Sequence, residues 1–160
     1  MLDAALAAAS GARRIVVVGA VSTPAGVLQT VEDPPYGGPA AGLAAGLATL
    51  DVPAPWTLVL ASDLPGVERA VPTLLAAAAA DPPVDGVCFH DSESHPQWLL
   101  AIYRTDALRR AVDAIDTTDV SMRRLLGPLT LKTLPGDPAA IGDCDTWDDI
   151  NAANAGPPTS

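Results

Sequence analysis

The chain is short of basic residues, aromatics, cysteine and histidine, and each shortage closes off a class of function. Nine Lys and Arg stand against 19 Asp and Glu in 160 residues, a formal net charge of −10. A protein that grips nucleic acid by its phosphates needs a basic stripe that displaces condensed counterions. Lys132 is the only lysine here, and the arginines are scattered or paired, so nucleic acid is not the expected partner. A small anionic ligand stays open if a metal ion and backbone N–H groups supply the neutralisation. Cys88 and Cys144 lie far apart with no C-x-x-C spacing, which argues against a disulfide framework or a structural zinc site. Cys88, between Val87 and Phe89, is expected to fill strand core. Both histidines fall in one segment, His90 to His95, leaving no Ser/His/Asp arrangement. That segment, with Asp91 and Glu93, reads as a solvated turn rather than a metal centre.

Long apolar runs are also missing. The longest candidate, Val71 to Ala80, contains Pro72 and stops at Asp81, short of what a membrane-spanning helix needs. No basic segment followed by an apolar one opens the chain, as a secretory signal would. The expectation is a cytoplasmic protein with no membrane partner. With hydrophobic residues at 49% but aromatics at 4%, the core must be built mainly from Ala, Val, Leu and Ile. The length is that of one domain, expected over residues 1–155 with a loose tail at 156–160.

What is present is an alternation of two periodicities. Leu2 to Ser10 reads as an Ala-rich helix ended by Gly11. Arg14 to Ala20 is a β-branched run of the kind buried on both faces of a parallel sheet. Val27 to Asp33 reads as a short extended segment, Pro34 to Pro39 as a rigid turn, and Ala40 to Leu50 as a helix. Trp56 to Ala61 is a second thoroughly apolar strand. Val67 to Ala80 is a helix, Pro72 fitting if it falls in the first turn. VCFH and QWLLAIYR (Gln97 to Arg104) form an antiparallel hairpin about a polar turn. A helix with Thr105 as N-cap, a shorter one in SMRRLLGPL, a strand in TLKTLP and a last helix in TWDDINAANA complete the pattern. The alternation predicts a three-layer α/β fold with an open, mostly parallel sheet.

In such sheets ligands sit beyond the carboxyl ends of strands, and Asp63 stands there. It suits a hard divalent cation that keeps most of its waters, or an N-cap for the next helix. Asp145 beside Asp143 offers a second metal ligand or another N-cap. In Gly37-Gly38-Pro39-Ala40-Ala41-Gly42 a glycine turn opens onto a helix start, letting backbone approach a flat base or a phosphate closely. Gly42 and Gly46 equally suit tight helix–sheet packing. The run is not a P-loop, since no G-K-[ST] follows.

GGPAAGLAAGL, VLASDLP, HPQWLLAIYR, SMRRLLG and DCDTWDDINAA occur in an order and spacing that resembles the MobA-type molybdenum cofactor guanylyltransferases, over Met1 to about Ala155. The resemblance implies a Rossmann-like, nucleotide-diphospho-sugar transferase type of fold. It also implies Mg²⁺-dependent transfer of GMP from GTP to molybdopterin with release of pyrophosphate. On it, Asp63 matches the catalytic, metal-binding aspartate and Asp145 a second metal ligand. Asp33 resembles the acidic residue that reads the guanine N–H edge, Gly38 and Pro39 the turn against the base, and Gln97 a residue on the pterin side. Members of that family open with a strand and a Gly-rich loop bearing an Arg and a Lys. This sequence starts inside what would be the following helix, so the fold is expected to be N-terminally truncated. Either the start is misplaced, or a partner or a second copy covers an exposed sheet edge. The resemblance thus leaves open a catalytically inactive binding module, or a transferase for another nucleotide or acceptor.

Overall fold

A computed structural model gives the structure of the protein and describes residues 1–51 and 54–136. The elements run α1 (Leu2–Ala8), β1 (Val16–Val18), β2 (Leu28–Thr30), α2 (Pro39–Thr49), β3 (Trp56–Leu60), α3 (Val67–Ala79), β4 (Gly86–His90), β5 (Pro96–Arg104), α4 (Thr105–Asp113), α5 (Met122–Leu126) and β6 (Leu131–Pro135). The helix expected over TWDDINAANA, and Asp145, lie outside the described residues.

The strands form two sheets. β1 and β2 pair parallel, Val16 opposite Leu28 and Val18 opposite Thr30. The other four strands are ordered β3-β5-β4-β6. β5 runs antiparallel to β3 and to β4, while β4 and β6 are parallel. β3, β4 and β6 therefore share one direction and β5 alone opposes it, as the expected hairpin requires. The fold is mixed α/β.

Alternation along β4 and β5 builds a core on each face of the larger sheet. Val87, Phe89, Leu100 and Ile102 pack with Val67, Val71 and Leu74 of α3. Cys88, Ala101 and Tyr103 share the other cluster with Ala40 and Leu47 of α2, Leu108 of α4, and Leu125 and Leu126 of α5. That is the three-layer arrangement. Cys88 is fully buried, and burial pushes its thiol up to about 11.

Several local expectations change. Pro72 lies inside α3 rather than in its first turn; it removes one hydrogen bond to the preceding turn, and burial of Val67, Val71, Leu74 and Ala78 along one face carries the helix through. Thr105 is not an N-cap. Arg104 holds that position, and the Thr105 hydroxyl instead pairs with that of Thr57 at 2.8 Å. Ser121 does cap α5, its Oγ accepting from the Arg124 N–H at 3.1 Å. β1 and β3 are less buried than their composition suggests: of their residues only Val17 and Val59 are buried, because among the described residues each strand pairs on one edge alone. The polar turn is solvent-exposed as expected, folded about Asp91, whose Oδ1 accepts from the Glu93 and His95 N–H groups at 2.9 Å each.

Candidate functional site

Between the two sheets lies a cleft of about 780 Å³. β1 and β3 border it, with α1 and α3 on one side and α2 on the other; its rim includes Glu32, Gly38, Pro39, Ser62 and Asp63. Glu32, Gly38, Ser62 and Asp63 belong to connections that leave the carboxyl ends of β2 and β3, and Pro39 opens α2 just after Gly38; there an open α/β sheet leaves room for a ligand.

Asp63 follows β3 by three residues and sits in a turn, exposed. It does not cap α3. That role falls to Gly66, in a left-handed conformation (φ 69°) that glycine adopts without strain, with no side-chain cap bond. No hydrogen bond or ion pair engages Asp63 among the described residues, so its carboxylate is free to bind from the rim.

Opposite stands the amino end of α2. Gly38 is the N-cap with φ 89°, ψ 178°, and Pro39 occupies the first helical turn, where its missing N–H costs nothing. No acidic side chain occupies that first turn, so the helix's free N–H groups and positive dipole end have no internal counter-charge. Gly42 and Gly46 lie against Val18, where a Cβ would stand 3.6 and 3.1 Å from its methyls. They let α2 settle onto β1, the packing role sequence left open.

The structure thus brings Asp63, Gly38 and Pro39 to one rim. Asp33 is exposed beyond β2 and is not a lining residue; its neighbour Glu32 is, half-buried. Gln97, half-buried in β5, does not line the cleft. It stands at the same end of the sheet, since the β3–β5 register ending at Leu60 opposite Leu100 would, if continued, set Asp63 opposite Gln97. Arg13, Arg14 and Arg109 also line the cleft. Arg109 is already engaged, donating to the Leu47 and Leu50 carbonyls at 3.2 and 3.3 Å, and so closes the carboxyl end of α2. Sequence reading did not single out Glu32 or these arginines. For Glu32 the available signal was the two-residue period from Thr30, which turns Glu32 inward and Asp33 outward.

Among the described residues no cluster of three His, Cys, Asp or Glu is poised to enclose a metal. One unengaged carboxylate at a rim is nevertheless a donor set that Mg²⁺ accepts, since it retains waters and shares phosphate oxygens rather than demanding an all-protein cage. The His90–His95 turn offers no such set: His95 pairs with Asp91 and Glu93 at 3.3 and 3.5 Å. No helix of the described residues is long and apolar enough to cross a membrane.

The fold recurs in solved structures. Molybdopterin-guanine dinucleotide biosynthesis protein A from Archaeoglobus fulgidus superposes with a TM-score of 0.71 at 17% identity, covering 96% of this chain and 83% of that one. 2-C-methyl-D-erythritol 4-phosphate cytidylyltransferase from Thermus thermophilus gives 0.68 at 18%, covering 96% and 87%. 4-Diphosphocytidyl-2C-methyl-D-erythritolsynthase from Anaerococcus prevotii gives 0.69 at 13%, covering 96% and 84%. At such identities the likeness is one of fold. No curated protein matches the chain at a significant level. The sequence profile of the MobA-like NTP transferase domain matches residues 1–133, and the chain belongs to that family of nucleotidyltransferases.

Proposed function

We propose that the protein transfers a nucleoside monophosphate from a nucleoside triphosphate to a phosphorylated acceptor, with GTP as donor and a molybdopterin-type acceptor, releasing pyrophosphate. The observation that carries this reading is the unengaged Asp63 carboxylate sharing one cleft rim with the Gly38–Pro39 start of α2. An anionic phosphate chain has a place against the helix start, and Asp63 holds the side from which a metal ion reaches it. Bound there, Mg²⁺ would neutralise charge on the phosphate oxygens.

The chain's own groups position and neutralise rather than exchange protons, which suits in-line attack of an acceptor phosphate on the α-phosphorus. Gly38 carries no side chain, so a base or phosphate can approach its backbone closely. Asp33 reads guanine in this scheme, because a carboxylate accepts from both N1–H and the 2-amino group; adenine offers no such pair. Gln97, at the same end of the sheet, serves the acceptor side, and Asp145 adds a second carboxylate to the metal. The fold likeness to a protein named as a cytidylyltransferase supports a second reading, with CTP as donor.

Calorimetric titration of GTP in the presence of Mg²⁺, with CTP and ATP as controls, tests the proposal. GTP should bind in a magnesium-dependent manner, and Asp63→Asn should weaken binding at least about tenfold, the loss of one charge-assisted contact. Binding of CTP alone favours the second reading. Absence of binding by any nucleotide, or an Asp63→Asn variant indistinguishable from wild type, overturns the assigned role.

A further inference from the structure

We propose that Trp98 determines acceptor specificity, as a flat wall on which a planar ring of the acceptor stacks, and that Tyr103 is the positioning residue that aims it. The proposal rests on the nucleotidyl-transfer reading of the site and says how its acceptor side is built.

The first observation is a break in register confined to one side of β5. Against β3 the strand is regular from Arg104, opposite Trp56, to Leu100, opposite Leu60, and the Ala61 N–H donates to Leu99 O at 2.8 Å. Against β4, Cys88 lies opposite Ala101 but His90 lies opposite Pro96. Two steps along β4 therefore match five along β5, and the surplus chain includes Gln97 and Trp98. A bulge of this kind gives up ladder bonds and re-aims a side chain.

The second observation is where Trp98 goes. Leu100 and Ile102 pack on the α3 side of the sheet, Ala101 and Tyr103 on the side of α2, α4 and α5. Strict alternation would send Trp98 to the α3 side with Leu100. It packs instead against the cluster of Tyr103, Met122 and Ala40, and Ala40 directly follows Pro39 at the start of α2. The bulge thus carries the indole to the side on which α2 begins.

The third is the bond that fixes it. The Tyr103 hydroxyl donates to Trp98 O at 2.8 Å. Five residues of regular strand span about 16 Å, beyond the reach of a tyrosine side chain, so this bond exists only because the chain bulges. Tyr103 is fully buried, and its hydroxyl and the Trp98 carbonyl satisfy one another.

What remains open is the ring. Trp98 is half-buried. Arg104 covers Trp56, but no cation or ring covers Trp98 among the described residues. Its indole N–H makes no hydrogen bond there, yet is not sealed from solvent. An indole so placed offers an apolar face and a polar edge. Gln97 beside it carries both a donor and an acceptor for the edge of a ring. A planar heteroaromatic ring uses both residues; an acceptor without one forfeits the stacking.

The test titrates the full chain, with GTP and Mg²⁺ present, with 6-hydroxymethylpterin, whose own emission is quenched by stacking on an indole. Wild type should bind it saturably with quenching. Trp98→Leu should weaken binding about tenfold to a hundredfold, the scale of one ring stacked on an aromatic side chain, and Trp98→Phe should restore most of it. Tyr103→Phe should weaken binding about threefold to tenfold, as loss of one hydrogen bond does, and add nothing in a Trp98→Leu background, because it acts through Trp98. GTP affinity, titrated separately, should be unchanged in every variant. Wild type that does not bind the pterin, or Trp98→Leu with wild-type affinity for it, overturns the proposal, as does an equal loss of GTP and pterin. A Tyr103→Phe loss that persists in the Trp98→Leu background overturns the positioning role. Failure of the nucleotide reading shows separately, as wild type that binds no nucleotide.

Discussion

The Arg104 guanidinium lies over the Trp56 ring, its Cζ 4.6 Å from the ring centre, with the two residues directly opposite in the β3–β5 register. The same side chain donates to Val84 O at 2.9 Å, to Pro82 O at 2.6 Å and to the Asp81 carboxylate at 2.9 Å. One arginine therefore ties the start of β3, which borders the cleft, to the loop between α3 and β4. Lysine has neither the planar fork nor the stacking face. Arg104→Lys should lower stability by about 1–3 kcal/mol, the scale of two lost carbonyl bonds and a weakened cation–π contact. Urea unfolding measures it, and an unchanged midpoint would show that the fan contributes nothing net.

Gly46 of α2 packs against Val18 of β1, where an added Cβ would stand 3.1 Å from Val18 Cγ2. Val18 is only half-buried and borders open cleft, so it can yield by the few tenths of an ångström that one methyl needs. Gly46→Ala also gains up to about 1 kcal/mol of helix propensity. The expected net change is therefore within about 1 kcal/mol of wild type. Gly46→Leu has no such escape and should cost about 1–3 kcal/mol through overpacking. Chemical denaturation of both variants checks the pair, and equal stability of the leucine variant would show α2 free to lift off.

What was legible in the sequence was what depends on neighbours along the chain. Ser121 caps α5 and the hairpin forms about Asp91 because capping and turn bonds reach only two to four residues. Less legible were positions decided by distant chain. Thr105 looks like an N-cap locally, but Thr57, on a strand forty-eight residues earlier, takes its hydroxyl. Trp56 to Ala61 has the composition of a buried central strand, and its half-burial was invisible because burial depends on which strand lies alongside. At the site, the carboxyl-end rule singled out Asp63 and the glycine turn singled out Gly38 and Pro39, and all three line the cleft. Neither signal separated Asp33 from Glu32, a matter of which way a short segment turns after β2.

The polar turn should loosen in acid. Asp91 accepts from the His95 N–H and then the Glu93 N–H, and these bonds, with the charge of His95 beside it, hold its carboxyl below the usual range. A depressed folded value means the contribution is complete above the unfolded value, about 3.9, and is lost as pH falls through the folded one. The Glu93 and His95 amides should therefore exchange faster, relative to their intrinsic rates, as pH drops below about 4. Asp91→Ala should show the fast behaviour at every pH. An exchange ratio that does not change with pH would mean that these bonds do not hold the turn.

The last prediction concerns which carboxylate reads the base. Asp33 is exposed and off the cleft lining, whereas Glu32 lines it half-buried, and the two sit on opposite sides of one extended segment. If Asp33 accepts both guanine N–H groups, Asp33→Asn trades one acceptor for a donor aimed at a donor. Discrimination of GTP over ATP should then fall by about tenfold to a hundredfold, the 1–3 kcal/mol expected of a bidentate base contact. Glu32→Gln should leave that ratio nearly unchanged while altering affinity for every nucleotide alike, through charge at the rim. Competitive titration of the two nucleotides against both variants separates the roles. The reverse pattern would move guanine recognition into the cleft, one residue upstream of where the resemblance puts it.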